Sequence, residues 1–159
     1  MLKRTLLILA LGVALAAPAL AQTPRWEATA APVTQDDGPP YCRMTHLSGD
    51  DGIMFRAFPD RQEIWVITPS LEGLDFQIEA TLRIGNAPAY PLTWQGGGGS
   101  YRANLTSVGM ATVLDALILY GDEETRLTVG SETALALPPD GAQDAARTMW
   151  DCRAELPDS

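Results

Sequence analysis

The sequence contains one histidine, two cysteines and one lysine, and these shortages limit the chemistry that it can support. A Ser-His-Asp or Cys-His arrangement would have to be built on His46, and no Gly-x-Ser-x-Gly turn accompanies it. Zinc sites use several histidine or cysteine ligands at close spacing, which this chain lacks. We therefore predict no catalytic, cofactor-binding or metal-binding residues.

Acidic residues are plentiful, but their spacing is not that of a calcium-binding loop. They cluster at Asp36–Asp37, Asp50–Asp51 and Asp122–Glu124. None of these clusters has the Asp-x-Asp-x-Asp-Gly pattern that wraps the ion, and Asp and Gly are ordinary turn formers, so we interpret them as solvated turns. Gly96–Gly99 is not followed by the Lys-Ser or Lys-Thr of a phosphate-binding loop and is interpreted as a flexible hairpin tip.

The shortage of lysine leaves the chain acidic, with a formal net charge of −9 at pH 7. Residues 1–21 contain Lys3 and Arg4 and no acidic group, so the chain after them carries −11. Such a surface repels phosphate backbones and anionic lipids, so we expect neither nucleic acid nor the membrane surface as a partner. The charge favours solubility and permits attraction to cationic partners.

The first 21 residues have the pattern of a secretory signal peptide. A basic start precedes the apolar segment Leu6–Ala17, and Ala19–Ala21 has the small-x-small pattern that signal peptidase cleaves. A membrane span is the alternative, but the apolar run stops at Pro18 and falls short of the roughly 20 residues needed to cross a bilayer. We expect export to the bacterial periplasm or beyond, without membrane insertion after cleavage.

Removal of residues 1–21 would leave 138 residues, enough for one domain with a substantial core. Residues 22–40 are predicted to form an N-terminal arm and loop, because Ala31–Pro40 is rich in Pro, Asp and Gly. Within them, Trp26–Ala30 is either a first strand or an ordered arm. Residues 41–156 are assigned to a single β-rich domain with a C-terminal helix.

Alternation of apolar and polar residues predicts an N-terminal hairpin. In the segment Tyr41–Leu47, one face carries Cys42, Met44 and His46. A turn rich in Gly and Asp leads to Ile53–Phe58, which we predict to be the partner strand. His46 should therefore lie beside Met44 as a packed or sheet-surface histidine and not in an active site.

The alternation continues through the middle of the chain. The apolar run within Glu63–Thr68 predicts a central strand, and Asp75–Ile84 predicts a strand whose dry face begins at Phe76. Gly130–Ser131 predicts a two-residue hairpin turn. Further strands are expected at Tyr90–Trp94, Tyr101–Leu105, Thr125–Val129 and Glu132–Leu137.

Two segments have helical periodicity instead. The first is Val108–Tyr120, with Gly121 as its C-terminal stop, although a buried strand is an alternative for Ala116–Tyr120. The second is Asp140–Leu156, where Asp140 and Gln143 resemble a capping box. The predicted buried face of the first helix is Met110, Val113, Leu114 and Leu117, and that of the second is Ala142, Ala145, Ala146, Met149 and Cys152.

About seven or eight strands and two helices predict a mainly β fold of the α+β type. The expected architecture is an antiparallel β-sandwich or flattened barrel that is closed by the C-terminal helix. Cys42 and Cys152 are interpreted as one disulfide, because an exported chain meets an oxidising compartment. Two free thiols with redox or nucleophilic roles are the alternative, but no Cys-x-x-Cys motif supports them.

The order of elements resembles the invasion-associated locus B family, which comprises small exported proteins of alphaproteobacteria. The resemblance rests on Cys-x-Met-x-His after an N-terminal Trp, the Leu114–Val129 stretch, Glu132–Pro138 and the Ala-rich closing helix at Gly141–Met149. It implies an envelope-associated β-rich protein without established catalytic residues. It transfers no functional residue to this chain.

These observations lead to a first functional hypothesis, a non-enzymatic periplasmic or envelope-associated binding protein of unknown ligand, whose partner is another envelope or secreted protein. An inhibitor of a secreted protease is an alternative that needs an exposed rigid loop, for which Asp36–Pro40 and Pro88–Pro91 are the candidates. A hydrolase with paired carboxylates is a further alternative, and it would need carboxyl groups with raised pKa values.

Overall fold

The computed structural model describes residues 25–35 and 37–157, so the predicted signal peptide lies outside the described residues. Nine strands and two helices follow in chain order. The strands are β1 Trp26–Ala28, β2 Cys42–Ser48, β3 Asp51–Ala57, β4 Gln62–Ile67, β5 Gln77–Ile84, β6 Tyr90–Gly97, β7 Ser100–Leu105, β8 Thr125–Val129 and β9 Glu132–Leu137. The helices are α1 Ser107–Tyr120 and α2 Ala142–Ala154, and a short 3-10 turn covers Pro69–Leu71.

All nine strands belong to one sheet with the order β1-β2-β3-β4-β7-β6-β5-β8-β9, and every pairing is antiparallel. The sheet curls into a half-barrel, and its inner face and the two helices enclose the core. The predicted mainly β fold with two helices is confirmed. β4 lies fourth in the order, between β3 and β7, which confirms its predicted central position.

The N-terminal strands have the predicted faces. β2 pairs with β3, and Cys42, Met44 and His46 all point into the core. Of the two alternatives for Trp26–Ala30, the strand is confirmed over Trp26–Ala28, which pairs with β2. Trp26 is buried, its backbone N–H donates to the carbonyl of Asp140 at 2.9 Å, and its indole Nε1 donates to Pro138 at 2.8 Å. These bonds tie β1 to the segment before α2.

Helix α1 is confirmed, and the strand alternative for its second half is wrong. The Thr106 hydroxyl accepts from the Gly109 N–H at 2.9 Å, which caps the N-terminus. The Gly121 N–H donates to the Leu117 carbonyl at 2.9 Å at the other end. The fully buried residues are those predicted, namely Met110, Val113, Leu114 and Leu117.

Helix α2 buries its predicted face, but its predicted capping box is wrong. The N-cap is Gly141, whose φ of 80° is left-handed, and no side chain caps the helix. The bond from Trp26 to the Asp140 carbonyl holds Asp140 against β1 and outside the first turn, so its carboxylate does not cap. The helix ends at Ala154, before the predicted Leu156.

The predicted inward position of Phe76 is also wrong, because this side chain is 71% exposed. β5 begins only at Gln77. The carbonyls of Leu74 and Asp75 accept from the buried Tyr101 hydroxyl, at 3.0 and 2.8 Å, and the Phe76 carbonyl accepts from the Gly96 N–H of β6 at 2.8 Å. Backbone bonding to β6 therefore reaches Phe76, but the inward alternation of side chains holds only from Ile78 onward.

The glycine run lies at a hairpin tip as predicted, but the turn itself is only two residues long. Gly96 and Gly97 belong to β6 and pair with Tyr101 and Ser100, which leaves Gly98 and Gly99 as a two-residue turn. Both turn residues have positive φ, 58° and 79°, as a tight primed turn requires. A Cβ added at Gly96 would lie 2.1 Å from the Ser100 carbonyl oxygen, so glycine is required within the strand as well.

The disulfide between Cys42 and Cys152 is confirmed, with Cα atoms 6.0 Å apart and 110 positions apart in sequence. It joins β2 to α2. Both cysteines are fully buried. The small-residue face of α2 packs chiefly on α1, β1 and β2. The disulfide therefore links α2 to a strand with which the helix is already in contact.

Replacing Cys152 with Ser is expected to lower the free energy of unfolding by about 4 to 5 kcal/mol, because the bond limits the entropy of a long loop in the unfolded chain. Urea unfolding of the oxidised wild type and the variant checks this. Wild type under reducing conditions should match the variant. Equal midpoints for the oxidised wild type and the variant would contradict the stabilising role.

Candidate binding face

The outer face of the sheet, away from the core, carries an ordered set of charged and aromatic side chains. Strand register places outward-facing residues of β2, β3, β4 and β7 in adjacent rows. One row is Arg43, Arg56, Glu63 and Asn104, and the next is Thr45, Met54, Trp65 and Arg102. We use the term Arg–aromatic cluster for Arg56, Phe58, Arg61, Glu63, Trp65 and Arg102.

Glu63 is the centre of the Arg–aromatic cluster. Its side chain is only 5% exposed although it lies on the outer face, because three arginines cover it. Its carboxylate oxygens lie 2.7 Å from Arg56 Nη2, 3.1 Å from Arg61 Nε and 3.9 Å from Arg102 Nη1. Trp65 Nε1 donates to the same carboxylate at 2.9 Å. One buried negative charge therefore organises three positive ones.

The ionisation of Glu63 follows from these contacts. Burial alone would raise the pKa of the carboxyl group. The hydrogen bonds from Trp65, Arg61 and Arg56 and the charge of Arg56 favour the ionised form and outweigh burial, so the pKa lies below its usual range. Glu63 is thus an anion at neutral pH, and it is not a candidate general acid.

Aromatic rings hold the guanidinium groups from the other side. Arg61 lies 3.7 Å from the Phe58 ring centre, and Arg56 lies 5.1 Å from that of Trp65. Arg102 lies 5.5 Å from the Trp65 ring, and Tyr41 stacks on Phe58 with ring centres 5.1 Å apart. Since cation–π contacts and ion pairs both constrain these side chains, their positions are set before any ligand arrives.

The Arg–aromatic cluster is a positive region on an acidic protein. Arg43 lies opposite Arg56 in the ladder, so this face holds four of the nine arginines that follow residue 21. Glu63, Asp60, which pairs with Arg61 at 3.1 Å, and Glu27, which lines a shallow cleft with Arg43, offset three of these charges. One positive charge therefore remains, in a chain whose formal charge is −9.

This arrangement is suited to oxyanion recognition. A guanidinium has five N–H donors, and the internal ion pairs use only some of them. Arg61 and Arg102 are 45% and 40% exposed, so part of each guanidinium faces solvent. Carboxylate or phosphate groups pair with such planar donors in a bidentate manner. The exposed side chains of Asn104 and Gln95 add polar groups at the rim.

His46, the one histidine, lies on the opposite face of the sheet and is fully buried. Its ring packs on Trp26 at 5.3 Å, and neither ring nitrogen has a hydrogen-bond partner. Burial lowers its pKa, against an opposing influence from Asp140. This environment favours the neutral imidazole, and His46 is packed beside Met44 as expected.

The acidic clusters lie apart from the Arg–aromatic cluster. Asp50 and Asp51 line a cleft of about 410 Å³ with Glu72 and the exposed Leu47 and Ile67 as further walls. Asp36 lies outside the described residues. Within residues 25–35 and 37–157, no three His, Cys, Asp or Glu residues are grouped so that they could hold a metal ion.

The third acidic cluster, Asp122–Glu124, is bonded to nearby polar groups. Glu123 accepts a hydrogen bond from Asn86 at 2.6 Å, and Glu124 pairs with Arg126. Both carboxylates thus have ordinary partners at the turns before β8.

The two loops proposed for a protease inhibitor differ in form. Pro91 lies within β6, paired with Thr81, so only Pro88 and Ala89 remain as an exposed connection there. The other loop is closed by the backbone pair of Val33 and Tyr41, with N···O distances of 2.9 Å.

Sequence reasoning missed the Arg–aromatic cluster. The apolar residues of β4 pointed to a central strand, and its polar side was overlooked. Glu63 and Trp65 are two residues apart in β4, so they share the outer face of this strand, and this spacing could have indicated the cluster. The positions of Arg56 and Arg102 beside them follow from the pairing of β4 with β3 and β7, which alternation alone does not specify.

Comparisons with known proteins found no matching family model, no matching curated protein and no matching solved structure. The resemblance to the invasion-associated locus B family stays a prediction. Neither α1 nor α2, the helices of the described part of the chain, is long and apolar enough to cross a membrane.

Replacing Glu63 with Gln is expected to lower the free energy of unfolding by about 1 to 3 kcal/mol, because it leaves three guanidinium groups without their buried counter-charge. Urea unfolding at pH 7 measures the loss. Because the Glu63 pKa is lowered in the folded state, the difference should shrink as the pH falls below 4.5. Exposed Glu132, replaced with Gln, is the control, and equal losses in both variants would contradict the prediction.

Acidification is expected to destabilise the protein through His46. Its folded pKa is lowered below 6.5, so the unfolded chain binds the proton more readily and stability falls as the pH drops below that value. The slope from this one group is at most about 1.4 kcal/mol per pH unit. Urea midpoints between pH 7.5 and 5.5 should vary less in His46→Phe than in wild type. Parallel pH profiles would contradict the assignment.

Proposed function

We propose that this protein is an exported, envelope-associated binding protein without enzymatic activity, which binds an anionic segment of another envelope or secreted protein through the Arg–aromatic cluster. The observation that carries the proposal is the fixing of Arg56, Arg61 and Arg102 around one buried carboxylate. A positive region held in place in this way, on an otherwise acidic chain, is a specific recognition feature and not a general surface property.

Preorganisation supports a binding role. Free arginine side chains lose rotamer entropy when they bind, whereas Arg61 and Arg102 are already held by an ion pair and an aromatic ring each. Their solvent-facing donors can therefore meet a carboxylate with little reorganisation. Acidic side chains of a protein partner supply this group. Association would be steered by charge and weakened by salt.

Export is supported by the signal-like sequence of residues 1–21 together with the buried disulfide, since disulfides persist in oxidising compartments. The periplasm or the exterior of a bacterium is such a compartment. A hydrolase is less well supported, because the carboxyl group with the most contacts, Glu63, has a lowered and not a raised pKa.

The test compares capture by wild type, Arg61→Ala/Arg102→Ala and the control Arg83→Ala/Arg147→Ala. Arg83 and Arg147 are exposed arginines of β5 and α2, so their removal changes the net charge by the same amount without touching the cluster. Oxidised proteins are immobilised and exposed to envelope extract, and a titration with an oligo-glutamate peptide measures affinity directly. The cluster variant should bind the peptide and the retained partner about tenfold or more weakly, and the control should not.

Three results would oppose the proposal. Equal binding by the double variant would remove the cluster from recognition. Equal losses in both variants would reduce the effect to net charge. Turnover in a panel of hydrolase substrates, or inhibition of a secreted protease by the loop that Val33 and Tyr41 close, would favour the enzyme or inhibitor hypothesis instead.

A further inference from the structure

The cleft of about 410 Å³ beside the β2–β3 turn is a concave surface that the Arg–aromatic cluster does not include. We call it the acidic cleft, and it is lined by, among others, Leu47, Asp50, Asp51, Gly52, Ile67 and Glu72. Its volume lies within the range of about 300 to 1,000 Å³ that is typical of ligand sites. Leu47 and Ile67 are 64% and 51% exposed, although both are large and apolar. Two such side chains in one concave region indicate a contact surface.

Gly52 joins the two exposed aliphatic side chains into one surface. Strand register places Leu47 opposite Gly52 and Gly52 opposite Ile67, so the glycine lies between them on β3. A Cβ added at Gly52 would lie 2.6 Å from Cδ2 of Leu47. The Leu47 side chain therefore occupies the space that a side chain at position 52 would fill. Because no ridge stands on β3 at this point, the aliphatic surface continues from β2 toward β4.

Carboxylates lie on both sides of this aliphatic surface. Asp51 begins β3, one neighbour of β4, and Asp50 precedes it in the turn. Glu72 lies toward β7, the other neighbour of β4, since its Cγ would be 3.3 Å from a Cβ added at Gly99. In the part of the chain that the structure describes, no Lys, Arg or His lines the acidic cleft and none of its three carboxylates forms an ion pair.

The combination of apolar surface and uncompensated charge selects the chemistry of the occupant. The exposed aliphatic side chains favour an apolar group, and the carboxylates favour a cation and repel an acidic segment. A second copy of this acidic chain is therefore disfavoured. Charge complementarity points to a segment that presents an aliphatic side chain between basic ones, because the carboxylates flank the aliphatic surface on two sides.

We infer that the acidic cleft binds a basic and apolar segment of a protein partner. An aliphatic side chain of the segment packs on Leu47 and Ile67, and its Lys or Arg side chains pair with Asp50 and Glu72. This second site goes beyond the proposed function of the Arg–aromatic cluster. Ile67 is two residues, about 7 Å, from Trp65 along β4, so the two sites are neighbours on one face. They take segments of opposite charge.

Binding of a short segment is expected to be weak and sensitive to salt. Exposed ion pairs each contribute little, and two aliphatic side chains offer far less than the roughly 800 Å² per partner of a standard interface. We expect dissociation constants from about 10 µM to about 1 mM. Added salt should weaken binding by screening the carboxylates, but it should not abolish binding, because the apolar contact persists.

An NMR titration of the isotope-labelled, oxidised protein with an acetylated Leu-Arg-Leu-Arg amide tests the inference, because it measures affinity and locates the contact. Asp50→Asn/Glu72→Gln should weaken binding about fivefold or more. The control Asp115→Asn/Asp151→Asn removes the same charge from exposed positions of α1 and α2, and it should change the affinity by less than about twofold. Amide signals at the acidic cleft should shift in wild type.

The apolar part of the site is tested separately. Leu47→Ala/Ile67→Ala should weaken binding of the same peptide about fivefold or more, because it removes the aliphatic surface. The control Val108→Ala/Leu119→Ala removes two similarly exposed aliphatic side chains from α1 and should leave the affinity unchanged. A Ser-Arg-Ser-Arg peptide should bind wild type about fivefold or more weakly than Leu-Arg-Leu-Arg. Circular dichroism and urea midpoints confirm that the variants fold.

The inference would be overturned by a wild type that does not bind the peptide at millimolar concentration, or by shifts confined to residues outside the acidic cleft. Equal weakening in both charge variants would reduce the effect to net charge, and equal binding of the serine peptide would rule out the apolar contact. Arg61→Ala/Arg102→Ala should leave binding of this basic peptide intact. Failure of the acidic cleft is therefore distinguishable from failure of the Arg–aromatic cluster, which the oligo-glutamate peptide reports.

Discussion

The bond between Cys42 and Cys152 joins the two ends of the described fold, and the packing around it depends on that connection. The sheet is open, with β1 and β9 at its two edges, so hydrogen bonding alone does not close it. Closure comes from α2, which the disulfide holds on β2 while the Trp26 backbone and indole bond to the chain just before the helix. The Trp26 hydrogen bonds and the disulfide thus connect the two ends of the open sheet, which in a closed barrel are joined by strand pairing.

The two faces of the curled sheet bury groups of opposite kind, apolar side chains on the inner face and a carboxylate on the outer face. The inner face excludes water, and it includes one histidine whose neutral form burial favours. The outer face buries an ionised carboxylate and stabilises it with three guanidinium groups and an indole N–H. Such a network is a costly way to stabilise a sheet, because desolvation offsets much of the attraction, so its value lies in the fixed geometry that it imposes. Fixed arginines are what anion recognition requires.

The Arg–aromatic cluster depends on charge, and it lies where the acidic chain concentrates its few cations. Its members come from β3, β4, β7 and the turn between β3 and β4, so its geometry depends on the pairing of these strands.

Local periodicity was enough to predict most strands, both helices and their buried faces, because these depend on residues close in sequence. The pairing of the two cysteines was predicted from the cysteine count and the expected export. Periodicity failed where a distant group intervened. The Tyr101 hydroxyl binds the Leu74 and Asp75 carbonyls just before the exposed Phe76, and Trp26 holds Asp140 away from its predicted cap. The Arg–aromatic cluster was not predicted for the same reason, since its members come from β3, β4, β7 and the turn between β3 and β4.

The sequence by itself determined which residues are apolar, charged or helical. Only strand register in the tertiary structure decided that three arginines share one glutamate, because register brings together residues that no local pattern connects.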